Sequence, residues 1–234
     1  GPVLFTGALL LVALLVLPRV PFAVRAAAGA RKPVREALTT GFTGLASTPS
    51  LAWTTFVTTL GFAGQAAFLV AVPLVTLAQT DSLAASGLVF GAAAVGGVLA
   101  TLVLARRPLR DPDRAIARTT LGVGIALVVL AFSPTFVVTL AAAFALGACD
   151  GPMLTAMFRI RTREADPAIR SQVFTTAASL RTSIYAATTA VLGLLIGLGP
   201  TVLLLVGAAL HVVALALGTL LRRPSVPGAD GRTA

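Results

Sequence analysis

"FALGACDGPMLTAMFRIR", residues 144–161, decides how the chain is read. An apolar run long enough for several helical turns carries one carboxylate, Asp150, and closes on a pair of arginines, Arg159 and Arg161. Blocks of this kind recur along the 234 residues, of which 57% are hydrophobic and 11% charged, with a mean hydropathy of +0.96. A soluble domain carries about a quarter charged residues, so this composition belongs to a membrane protein. At 1.5 Å per residue, an apolar block of about 20 residues crosses the roughly 30 Å of hydrocarbon in a bilayer.

Seven such blocks are predicted as spans, at 3–17, 51–77, 84–105, 119–132, 136–157, 173–197 and 201–221. The expected fold is therefore all-α, a polytopic membrane helical bundle of about seven transmembrane helices. The first block is short, begins at Gly1 without a methionine and lacks the basic start of a signal peptide, so it reads as a truncated span and the chain as a fragment. This gives a truncated helix over 1–18, a cytosolic linker over 19–50, a six-helix bundle over 51–221 and a cytosolic tail over 222–234. Within the linker, Val34, Leu38, Phe42 and Leu45 recur at helical spacing and predict an amphipathic helix on the membrane interface.

The net charge of +10 would suit nucleic acid only if the charges formed a soluble basic face, and they do not. Arg19, Arg25, Arg31, Lys32 and Arg35 follow the first span. Arg106, Arg107, Arg110, Arg114 and Arg118 lie between the third and fourth, Arg159, Arg161, Arg163 and Arg170 between the fifth and sixth, and Arg222, Arg223 and Arg232 after the last. The alternate connections "AQTDS" (78–82), "SPT" (133–135) and "LGP" (198–200) hold no lysine or arginine. All 18 basic residues except Arg181 thus fall on one side, which the positive-inside rule makes the cytosolic side of the cell membrane, C-terminus included.

The six later spans form two triplets with the same order of character. Each opens on a span with polar groups: Thr54, Thr58, Gly61 and Gln65 in one, Asp150 and Thr155 in the other. Each continues with a span rich in small residues, which approach closely in lipid (Gly87, Gly91, Gly96 and Gly97, then Ala186, Ala187, Ala190 and Gly193). Each closes on a span apolar nearly all round, expected to face lipid. Three spans per unit invert the second copy on the first. Pro73 is expected to kink its helix.

Three stretches carry a resemblance: the linker running into "LASTPSLAW" (45–53), "GAAAVGGVLATLVLARRP" (91–108) and "DGPMLTAMFRIRTREADPAIRSQVFTTAASLRTS" (150–183). Together they resemble the major facilitator superfamily of secondary transporters, its last amino-terminal helix plus its carboxy-terminal six-helix half. The third stretch is similar to the family's tenth helix, a cytosolic turn with Pro167 and Arg170, and its eleventh helix. Gly97, Arg106 and Arg107 stand where the family often has a glycine, acid and basic gate loop, here without the acid.

The resemblance implies transport of a small solute across the cytoplasmic membrane by alternating access, as proton-coupled efflux, with membrane lipids and the other half of the carrier as partners, no nucleic acid and no cofactor. A lone charge in mid-membrane costs about 2.5 to 3.5 kcal/mol on insertion scales, so Asp150 and Arg181, at similar depth on neighbouring helices, are expected to turn inward and pair. Thr54, Thr58 and Gln65 are the further substrate or coupling candidates, against a role as interhelical glue. His211, Tyr185, Trp53 and Cys149 read as packing or interface residues. One histidine, one cysteine and no paired carboxylates leave no catalytic set and no metal set. A non-transporting membrane sensor or subunit on the same scaffold is the alternative function, and a membrane-embedded enzyme the weaker one.

Overall fold

The computed structural model describes residue 11, residues 34–106 and residues 109–221. The chain divides into residues 1–33 and residues 34–234, and the architecture below is that of the second unit. The predicted first span, the basic residues Arg19 to Lys32, Arg107 and the tail from 222 lie outside the described residues.

Among those described there is helix and no strand: α1 Val34–Leu45, α2 Pro49–Thr80, α3 Ser86–Arg106, α4 Pro112–Ala131, α5 Phe136–Glu164, α6 Arg170–Leu194 and α7 Pro200–Leu221. Local chemistry sets the starts. Thr48, extended at φ −128°, accepts from the Leu51 N–H and is followed by Pro49 in the first turn; Asp111 and Pro112 open α4 in the same way. Thr135 caps α5 through the Val138 N–H. Helix α2 ends where Asp81 turns left-handed at φ 54°. It continues through Pro73, with Thr76 donating to the Val72 and Pro73 carbonyls.

Among the described residues five helices are long and apolar enough to cross a membrane: α2, α3 with its preceding turn, α4, α5 and α7. Helix α6 is of spanning length, but Arg181, Gln172 and its serines and threonines keep it outside that set. Large apolar side chains such as Leu88, Val137 and Leu194 stand exposed at 62%, 73% and 86%, a surface suited to lipid rather than water. The arginine-free connections share one end, where Gln79 of α2 bonds Ser133 of the α4–α5 connection and Thr139 of α5. At the other end Arg159 donates to the Leu109 carbonyl, and Arg163 pairs with Asp113 at 3.7 Å.

The packing repeats. Helix α2 rests on α7 and α6, and its counterpart α5 rests on α4 and α3; α4 and α7 pack on each other. This is the pairing that a two-fold relation between the triplets requires. The closing helices α4 and α7 prove two-faced rather than wholly lipid-facing, burying Val123, Leu127, Leu203 and Leu204. The middle helices are the bare ones: α3 buries only Val89 and Gly96, and nothing lies within 4 Å of where a side chain at Gly87 or Gly91 would stand. Small residues let backbones meet only where a partner comes, and here one edge of α3 meets α5 while the rest stays open. Helix α1 docks on α6 through Gly41 and Gly44, with Leu45 buried and Leu38 and Phe42 half exposed. Its apolar stripe therefore borders the contact rather than forming it.

His211 is buried at 2%, bonded to the Gly207 carbonyl at 2.8 Å and sealed by Gly61, Gly64 and Gly124, a packing role. A methyl on Gly64 would stand 2.5 Å from the Gly207 carbonyl oxygen and 2.6 Å from the His211 ring. Because the obstacle includes backbone, Gly64→Ala should destabilise the bundle by about 1 to 3 kcal/mol, read as a lowered melting temperature in detergent.

Candidate functional site

Gln65, midway along α2, and Asp150, midway along α5, line one cleft of about 500 Å³ whose other wall is α3. Gly97 and Thr101 of α3, with Phe68 and Gly147, are among the other residues that line it. The cleft exists because α3 and α5 approach to backbone distance: a side chain at Gly147 would overlap the Ala93 carbonyl, and one at Gly151 would meet the Gly97 carbonyl at 2.9 Å. Gln65 is the polar side chain that faces the Asp150 carboxylate. Among the described residues Asp150 is the one acid that stands away from a helix end.

Arg181 of α6 acts on Asp150 through its charge, yet the two do not come within the 4.0 Å of a contact ion pair. Its guanidinium instead lies over the Phe62 ring, 4.4 Å from the centroid, with the Met157 sulfur at 4.0 Å. Phe62 in turn rests on Tyr185, ring centres 4.7 Å apart. A cation seated on an aromatic face is held weakly enough to be drawn off by a better partner. The expected Asp150 and Arg181 association is thus electrostatic and unclosed, because depth on two helices sets the level of a side chain but not its direction.

The threonine stripe behaves differently from a wet wall. Thr58 is 1% exposed and donates to the Thr54 carbonyl of its own helix at 2.6 Å, the usual way a helical threonine satisfies its hydroxyl in lipid. Thr54 is fully buried, with no partner for its hydroxyl. Of the candidates, Asp150, Gln65 and Gly97 meet in the cleft, Arg181 acts on Asp150 by its charge from outside the lining, and Thr54 and Thr58 do not line it. Gly97 serves as helix packing in the cleft wall, and Arg106 is exposed at the end of α3.

One residue that the sequence places among loop arginines belongs with this group. Arg161 is 2% exposed, and its Nε and Nη2 have no hydrogen-bond partner. Helix α5 continues past the apolar block to Glu164, which carries Arg161 inward on the face of Asp150 and Met157. The available signal was the spacing 150, 157, 161, two turns and then one. Among the described residues no group of three or more His, Cys, Asp or Glu side chains could hold a metal ion.

Compared with protein-family models, with curated proteins and with solved structures, the chain matches none.

Proposed function

We propose that the chain is part of a secondary active transporter that moves a small solute across the cell membrane by alternating access, built like the carboxy-terminal half of a major facilitator carrier. The observation that carries the reading is the meeting of Gln65 and Asp150, from the middles of counterpart helices, in one cleft, with the charge of Arg181 acting on Asp150. A polytopic bundle has reason to hold a charge without a contact ion pair at that level when a solute or proton passes it. The repeated packing of the two triplets supports the same reading, since rocking about such an axis exchanges access between two sides. In this proposal α6 spans along with the five apolar helices, a further span precedes α1, and the arginine-bearing end, with the C-terminus, faces the cytosol. Asp150 trades a proton in coupled efflux, and the uncovered sides of α3 and α6 receive the rest of the carrier.

Counterflow in proteoliposomes tests it. Vesicles preloaded with a sulfonate, a quaternary ammonium or a glycoside, each too polar to cross lipid unaided, are diluted into traces of the labelled compound. A carrier accumulates label transiently for at least one of them. No exchange of any would point to a binding subunit, and chemical change of the solute to an enzyme.

A further inference from the structure

We propose that the seam between α2, α5 and α6, on the arginine-rich side of Asp150, is a binding site for a small organic anion held by Arg161 and Arg181. That the anion is also the transported solute rests on the carrier reading above.

Four arginines of the arginine-rich end have partners, although Arg170 keeps its Nε idle. Arg163 pairs with Asp113 and Glu164, Arg114 with Asp111, Arg159 donates to Leu109, and Arg170 to the Ala165 carbonyl at 3.3 Å. Arg161 and Arg181 differ. The charge that acts on buried Arg161 is that of Arg181, another cation, and Arg181 rests on a ring and a sulfur. Two guanidinium groups thus share one seam with no carboxylate in contact. A buried guanidinium with two idle N–H groups is costly until an acceptor meets them.

Register brings a further donor to the same level. Gln65 and Asp150 face one cleft on antiparallel helices, and eleven residues from each toward the arginine-rich end, about 16 Å, stand Thr54 and Arg161. The Thr54 hydroxyl is buried and idle. Helices α5 and α6 scarcely pack on each other although consecutive in the chain, so parting them to admit a guest breaks little beyond the Phe158 and Phe174 stack at 5.7 Å. Above the arginines stand the paired rings of Phe62 and Tyr185, and a guest that draws Arg181 off Phe62 uncovers one aromatic face. The fit is a carboxylate, sulfonate or phosphate on a compact aromatic body: the planar guanidinium forks take the oxygens and the rings take the body.

Trp53, the sole tryptophan, packs with Met157 and precedes Thr54, so it reports on this seam. The full chain in phosphatidylcholine nanodiscs is titrated with dimethylaminonaphthalenesulfonate, whose absorption overlaps tryptophan emission, and with the neutral sulfonamide of the same ring. The expected result is saturable, salt-sensitive energy transfer from Trp53 to the sulfonate alone. Arg161→Gln and Arg181→Gln should each weaken it at least ten-fold, and Arg161→Lys, which keeps the charge but not the fork, should restore part of the loss. Removing an idle buried charge leaves Arg161→Gln folded, checked by its melting temperature, and Arg181→Gln is the independent variant. Equal titrations in wild type and both Gln variants, or equal binding of the sulfonamide, would overturn the site. So would phosphatidylglycerol discs that abolish the signal, since a lipid headgroup would then be the occupant. Binding is read without flux, so an anion bound through Arg161 in a chain that shows no counterflow removes the carrier and leaves the site, while exchange that ignores both arginines does the reverse.

Discussion

Asp150→Asn should lower solute exchange in proteoliposomes at least ten-fold, about 1.4 kcal/mol or more of lost transition-state stabilisation, while leaving the folded bundle at least as stable as wild type. Asparagine keeps the shape of the side chain and its contact with Gln65 but can neither carry the charge nor exchange a proton. A carboxylate within the membrane costs about 2.5 to 3.5 kcal/mol on insertion scales, so removing it relieves the scaffold. The two readouts are therefore expected to move apart: flux down, melting temperature level or up. Arg181→Gln should lower flux likewise, because the guanidinium seated on Phe62 is the positive charge that acts on Asp150. Wild-type exchange in both variants would leave Asp150 as a bystander. A melting temperature that fell with flux would make it a structural strut.

The second large effect is structural. Gly147→Val places side-chain atoms where the Ala93 carbonyl already stands, and neither backbone can yield without parting α3 from α5. Overpacking of ordinary cores costs about 1 to 3 kcal/mol, and here the whole seam, with Gly96 against Phe144 and Gly151 against Gly97, must open together. Loss of the folded form in detergent is the expected outcome, measured as early melting or failure to elute as a single species. Gly87→Val, on the same α3 where nothing lies within 4 Å, should be nearly silent. Equal melting of both variants would mean that α3 does not lean on α5 by this edge.

Much of this architecture was legible before any coordinates. Apolar blocks with arginines at alternate connections predicted the helices and their alternation, while the starts at Thr48, Asp111 and Thr135 are set by caps that hydropathy does not report. The block limits were displaced from the helix limits because hydropathy reports where hydrocarbon ends, whereas backbone hydrogen bonding continues into the polar ends. Helix α5 therefore reaches Glu164 and α4 begins at Pro112. The same displacement hid Arg161, which composition assigns to a loop and helical continuation turns inward. Direction around a helix was the other gap. Spacing put Thr54, Thr58 and Gln65 on one face, but whether a face is wet depends on the neighbour it meets, and Thr58 satisfies its hydroxyl on its own helix. Asp150 and Gln65 were readable as polar groups at mid-helix; that they share a cleft depends on the glycine seam beside them.

The central claim is that this bundle crosses a membrane with its arginine-bearing turns in the cytosol. With Cys149 replaced by alanine, single cysteines at Leu83 or Leu198 on one end and at Arg110 or Asp166 on the other are exposed to a thiol reagent that cannot pass lipid, applied to intact cells. Labelling at Leu83 and Leu198 from outside, with Arg110 and Asp166 labelled only after the membrane is opened, is the result expected. Labelling of Arg110 or Asp166 in intact cells, or protection of all four, would contradict the account.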